Sequence, residues 1–171
     1  MIEGENEFMT DVLFYQNYTY VADISAIVLC IICWLLLHSS YTVREKSLII
    51  FKAGTVCLMM ATVCSISFHT AITRITESRK ILIYVLQDGI YLLLILTFVL
   101  LCNYFGTLLK LEERPARLLG AVSWGGYAVF AFLEIGSPFT HLGFYIDADL
   151  MVHQNFYFDP FRFAYIYYCI V

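Results

Sequence analysis

Charge is what this chain has least of. Asp, Glu, Lys and Arg together make up 14% of its 171 residues, where a soluble domain carries about 25%. The ten basic residues are scattered among the loops and the net charge is -4, so no basic surface exists to hold nucleic acid. Proline is nearly missing too. Its three copies, Pro115, Pro138 and Pro160, stand at the edges of apolar runs and leave their interiors unbroken. No nucleophile elbow, phosphate-binding glycine loop or metalloprotease helix is present. The acidic start, Met1 to Glu7, lacks the basic region of a signal peptide.

What fills the space is apolar. Hydrophobic residues reach 61% and the mean hydropathy is +0.77. They come in long blocks and not in amphipathic stripes, which excludes an ordinary soluble core. Four blocks can span a bilayer: residues 20–37, 48–68, 81–105 and 118–135. A fifth begins at 161. Its eleven residues to Val171 rise about 16 Å, against about 30 Å of hydrocarbon, so the chain is expected to continue past this point. The expected fold is all-α: a polytopic transmembrane helix bundle of four complete spans and an incomplete fifth. Residues 1–17 form an acidic tail, and 18–171 the membrane region.

Six cysteines lie inside the apolar runs, where the side chain behaves as a small hydrophobe. Cys30-x-x-Cys33 therefore reads as packing, not as a redox or metal motif. Asn17-Tyr18-Thr19 fits a glycosylation acceptor, a match that chance supplies readily. Ala121 and Gly125 form a small-xxx-small pair that lets helices approach. Glu112-Glu113-Arg114-Pro115 reads as the loop between the third and fourth spans.

Lysine and arginine favour one side. With the N-terminus outside, six of the ten basic residues face the cytoplasm (Arg44, Lys46, Lys52, Lys110, Arg114, Arg117) and four face out (Arg74, Arg79, Lys80, Arg162). On that orientation four polar residues share the outer half: Asp23, His69, Asp88 and Glu134. An ionisable group inside a span is costly and so a functional candidate. Asp88, seven residues into the third span and beside Gln87 and Gly89, stands out. These residues read either as a polar pocket for a cation, proton or small ligand, or as headgroup-level side chains (Asp23, His69 and Glu134) with Asp88 bonded to Gln87 or to a neighbouring helix. Lys52 lies too near the opposite face to pair with Asp88.

The segment between the fourth and fifth spans differs from the other loops. Ser137-Pro138-Phe139-Thr140 leads to Phe144-Tyr145-Ile146-Asp147, then Ala148-Asp149 and a second stretch from Leu150 to Phe158. Two β-favouring stretches around Asp-Ala-Asp predict a short hairpin lying on the outer membrane surface. Asp147, Asp149, His141 and His153 lack the spacing of a metal site, and a turn with polar tips accounts for them. No metal or other cofactor is expected.

With Asp159-Pro160 opening the next helix, this layout resembles the N-terminal multi-span sensor region of clostridial-type bacterial GGDEF/EAL signalling proteins, related to regions that precede some sensor histidine kinases. The return strand departs from that pattern, with Met151-Val152-His153-Gln154 in place of a Tyr and an Arg-Gly. The resemblance implies a plasma-membrane signal-input module for cyclic-di-GMP enzymes. It implies an output domain outside this chain, dimerisation through that domain, and no catalytic residue within the chain itself. The sensing surface would comprise Phe144, Tyr145, Asp147 and His153 with Asp23, His69, Asp88 and Glu134, responding to a small ligand or to the state of the lipid bilayer. A transporter or channel fragment is the alternative from another class, disfavoured by the absence of midspan Pro or Gly breaks in matching halves. A membrane enzyme is a third, weakened by the lack of a convergent His/Asp set.

Overall fold

The computed structural model describes residues 3–40, 46–73, 75–141, 144–147, 150, 152–154 and 160–171, the side chains of 3–19, 39–40 and 152–154 excepted. Five helices and one hairpin follow in order: α1 (Glu3–Ser40), α2 (Lys46–Ile72), α3 (Lys80–Leu108), α4 (Glu113–Thr140), β1 (Phe144–Ile146), β2 (Val152–Gln154) and α5 (Pro160–Ile170). A short 3-10 turn, Glu77–Arg79, precedes α3. Helices α1 to α4 each carry a stretch long and apolar enough to cross a bilayer, and the fold is the expected helical bundle of a multi-pass membrane protein.

Helix ends account for where the sequence reading shifts. No glycine or proline separates Glu5 from Ser40, so the acidic tail is not a separate element. It continues the first span as one helix of 38 residues, about 57 Å long. Residues 113–115, read above as loop, are the first turn of α4. A proline there forfeits only an N–H that has no intrahelical partner anyway. At its other end α4 runs to Thr140 and carries Pro138 within it, so Ser137 to Thr140 are helix and not hairpin. The cost is local: Pro138 has no N–H for the carbonyl of Glu134, one turn back.

Helix α3 ends in a Schellman motif. The Leu111 N–H bonds the Gly106 carbonyl and the Lys110 N–H bonds that of Thr107, both at 3.3 Å. Lys110 takes the left-handed conformation, with φ 50°, that glycine usually supplies there.

Packing follows the chain order. Helix α1 packs chiefly on α2, α2 on α3 and α3 on α4, while α5 lies against both α3 and α4. Two apolar cores result. Near one end Phe68 and Ala71 of α2 and Ile83 of α3 enclose Phe144 and Ile146 of β1. Nearer the middle Ile95 and Val99 of α3 meet Ala164 and Tyr168 of α5. Large apolar side chains otherwise face outward, among them Leu29, Leu35, Leu36, Ile81, Phe132 and Phe139. That inversion of the soluble pattern suits lipid as the surrounding solvent.

The hairpin forms where the sequence places it, in antiparallel register Phe144↔Gln154, Tyr145↔His153 and Ile146↔Val152. It does not rest on the bundle's surface. Side chains two apart share a face of a strand, and Phe144 and Ile146 are 6% and 4% exposed, set into the first core.

Helix α5 is seated by tyrosines. The Tyr167 hydroxyl donates to the Val122 carbonyl at 2.8 Å, and Tyr168 to that of Ser123 at 2.7 Å. Gly126 is the close-approach position: a Cβ there would stand 2.4 Å from the Tyr167 ring. The expected packing pair is a different one. Ala121 and Gly125 are both exposed, and nothing lies within 4 Å of a Cβ built on Gly125.

Candidate functional site

The polar residues singled out in the sequence gather at the hairpin end of the bundle, but in two places. The first lies between α1 and α2. Ser65 Oγ donates to Asp23 Oδ2 at 2.7 Å. One turn further along α2, the His69 ring meets Tyr20 edge-on at 5.8 Å between centroids, and the Tyr20 hydroxyl lies 3.3 Å from Thr70 Oγ1. Asp23 and His69 thus share one seam, and the Asp23 carboxylate has a local hydroxyl partner.

The second place is under the hairpin, between α3 and α4. Phe144 and Ile146 turn their backbone groups away from β2, because successive residues of a strand point their N–H and C=O to opposite edges. Those groups are met by two helix hydroxyls. Tyr84 of α3 accepts from the Ile146 N–H at 2.7 Å and donates to the Ile146 carbonyl at 3.4 Å. Ser137 of α4 does the same for Phe144, accepting at 3.2 Å and donating at 3.4 Å. The open edge of β1 is therefore paired to two helices, as a third strand would pair it. Lys80 Nζ adds a bond to the Asp147 carbonyl at 3.0 Å.

Both membrane carboxylates lie one turn below these anchors. On α3, Tyr84, Asp88, Tyr91, Ile95 and Val99 recur at intervals of three and four, so they form one stripe. The members of known contact show where it faces. Tyr84 holds β1, Tyr91 stacks on Phe161 at 4.8 Å, and Ile95 and Val99 pack on α5. On α4, Ser123, Phe130, Glu134 and Ser137 make the matching stripe: Ser123 and Phe130 meet α5, and Ser137 meets β1. Asp88 and Glu134 thus sit on the two stripes at one level, between the hairpin and the start of α5.

The two carboxylates differ in burial. Glu134 is 2% exposed, and its Oε2 has no hydrogen-bond partner among the described residues. Helix α4 carries on past it to Thr140. Gln87, beside Asp88, is 6% exposed. Asp88 is half-buried and makes no hydrogen bond or ion pair among the described residues, so the local bond to Gln87 considered above is not formed. Lys52 is engaged elsewhere, with Nζ 5.8 Å from the Trp34 ring centroid.

The remaining sequence candidates fall around the hairpin. Phe144 belongs to its buried face. Tyr145 lies on the opposite face, its ring 4.6 Å from that of His141, which ends α4 in the left-handed conformation. Asp147 closes β1, and its carbonyl takes the Lys80 bond. The backbone of His153 pairs with Tyr145; its side chain, together with Asp149, Asp159, Arg44 and Arg74, lies outside the described residues. No three His, Cys, Asp or Glu side chains converge as a metal site would require among the described residues.

Comparison with protein-family models, with curated proteins and with solved structures finds no match to this chain. The arrangement of its own residues is what bears on function. The sequence reading missed Tyr84, Ser137 and Ser65, the three hydroxyls that organise the two places. A signal for Tyr84 was there: it lies four residues before Asp88, on the same helical face, with a second tyrosine three residues after it. Ser137 carried none, having been read as loop.

Proposed function

We propose that this chain is the membrane-embedded signal-input module of a bacterial signalling protein, with its N-terminus and hairpin outside the plasma membrane. One observation carries the reading. The hairpin is built into the bundle, its inner face forming one core with α2 and α3 and its open edge bonded to α3 and α4. A ligand or membrane state that moves the hairpin must therefore move helices, and it does so to the extent that it binds one arrangement better than another. Asp88 and Glu134, beneath the hairpin, are the residues whose surroundings such a movement changes most. A GGDEF or EAL output domain is the partner that fits the resemblance of the hairpin segment. It would bring the chain into a homodimer, and a histidine kinase output is the nearest variant.

The test is the gene that encodes this chain, expressed with its complete reading frame in a bacterium with a cyclic-di-GMP reporter. Asp88→Asn keeps shape and removes charge, and is expected to shift the reporter at least threefold either way. A reporter unmoved by Asp88→Asn and by Glu134→Gln would remove both carboxylates from signalling. A frame without an output domain would end the proposal.

A cation carrier is the second reading, and two features favour it. Two carboxylates occupy one level within the membrane, and Pro138 leaves the Glu134 carbonyl without its helical bond. Uptake of sodium or protons into proteoliposomes, lost in Asp88→Asn, would select it over signal input.

A further inference from the structure

At the end of the bundle away from the hairpin, the start of α2, the end of α3 and the start of α4 border an open cavity of about 310 Å³. Its two charged residues, Lys46 and Lys110, are both cations, and no carboxylate lines it among the described residues. Neither lysine is ion-paired among those residues. The Glu113 carboxylate at this end is taken by Arg117 at 2.6 Å. Two unpaired like charges on one cavity attract an anion more strongly than either does alone.

The backbone around the cavity favours the same charge. Lys46 is the first residue of α2, Ala116 lies in the first turn of α4, and both line the space. Unsatisfied N–H groups make the start of a helix positive, so two positive ends border one cavity. The end of α3 would oppose them, because the last carbonyls of a helix are its negative pole. The Schellman closure engages two of those carbonyls: Gly106 accepts from the Leu111 N–H and Thr107 from the Lys110 N–H. Asn103 adds a side-chain donor. It spends one amide hydrogen on the Val99 carbonyl at 2.8 Å and has a second to offer. The remaining wall, Gly106, Leu111 and Leu119, is apolar.

We propose that this cavity is a binding site for a phosphate group. Lys46 and Lys110 supply the charge, the Asn103 amide and the start of α2 supply directed donors, and the apolar wall takes a compact organic part. Several acceptor oxygens on one dianion match converging donors better than a single carboxylate does. A soluble phosphate ester and an acidic lipid headgroup both present this group, and the test separates them. The site stands apart from the hairpin end and does not rest on the signalling role.

The delipidated protein in neutral detergent is titrated calorimetrically with glycerol 3-phosphate and with glycerol. One saturable site for the phosphate ester and none for glycerol is expected. Lys46→Gln with Lys110→Gly should weaken binding by roughly tenfold or more. Glycine suits the left-handed backbone of residue 110, so the charge goes while the helix end is kept. Arg114→Gln with Arg117→Gln removes two charges at the same end but outside the cavity, and should leave the affinity within about twofold. Absence of saturable binding overturns the proposal, as does a lysine double variant that binds like the wild type. The titration is then repeated with phosphatidic acid added, and with phosphatidylcholine as control. A site blocked by phosphatidic acid alone takes its phosphate from lipid, and one that neither lipid blocks takes it from a soluble ester; both results uphold the phosphate site.

Discussion

Tyr84→Phe is expected to loosen the hairpin while leaving the bundle intact. The substitution keeps the ring, which packs edge-on against Phe144 at 5.8 Å, and deletes the hydroxyl that pairs both backbone groups of Ile146. Ile146 is 4% exposed, so water does not readily replace the lost partner. A buried group stranded in this way costs about 1–3 kcal/mol, equivalent to a roughly 5- to 150-fold rise in local opening. Hydrogen exchange at residues 144–147 reports it directly. Tyr104→Phe, in a tyrosine that packs on Phe51 near the opposite end, serves as the control and should leave those amides unchanged. Protection that stayed within twofold in Tyr84→Phe would mean that side-chain burial alone holds the hairpin, and the proposed link from hairpin to α3 would lose its basis.

Neighbouring glycines on α4 should respond in opposite ways. Gly126→Ala places a methyl 2.4 Å from the Tyr167 ring, where it cannot fit unless the ring shifts. The ring must move, and with it the Tyr167 bond to the Val122 carbonyl that helps seat α5. Overpacking of this kind costs about 1–3 kcal/mol. Gly125→Ala meets nothing within 4 Å, and alanine is the better helix former by about 1 kcal/mol. Thermal unfolding in detergent should therefore show Gly126→Ala melting several degrees lower and Gly125→Ala unchanged or higher. Equal melting temperatures would show that α5 does not depend on the Gly126 seat.

The sequence reading of the membrane spans rests on composition, and composition is enough for that. A run of about twenty apolar residues has few alternatives to a membrane helix, whatever its neighbours do. The hairpin was legible for a similar reason, because Phe-Tyr-Ile followed by an acidic turn is a local pattern. Ends were less so. Pro138 reads as a stop, yet α4 passes through it because one lost hydrogen bond is a small defect in a helix of 28 residues. The small-residue pair was misplaced by one position: Ala121 and Gly125 have the right spacing, but the packed glycine is Gly126. Spacing defines a face without saying which face meets a neighbour.

The candidate site divides in the same way. Asp88 and Glu134 are identifiable from sequence, since a carboxylate within an apolar run is rare and expensive. Asp23 and His69 were expected to share the outer half with them. They do lie at the hairpin end, but on the α1–α2 seam, because α1 packs chiefly on α2 while the hairpin is anchored on α3 and α4.

The sequence by itself determined that this is a multi-pass helical membrane protein, which helices span, and which ionisable residues lie within them. Those features follow from local hydropathy, and hydropathy is a property of the residues and not of their partners. Only the tertiary structure decided that the hairpin is inset and not laid on the surface, that Tyr84 and Ser137 close its edge, and that Asp88 and Glu134 lie at one level beneath it. Lipid makes no distinction among the apolar faces of a helix. The choice of face falls instead to close packing and to the few hydroxyls that buried backbone groups require, and both depend on residues far apart in the chain.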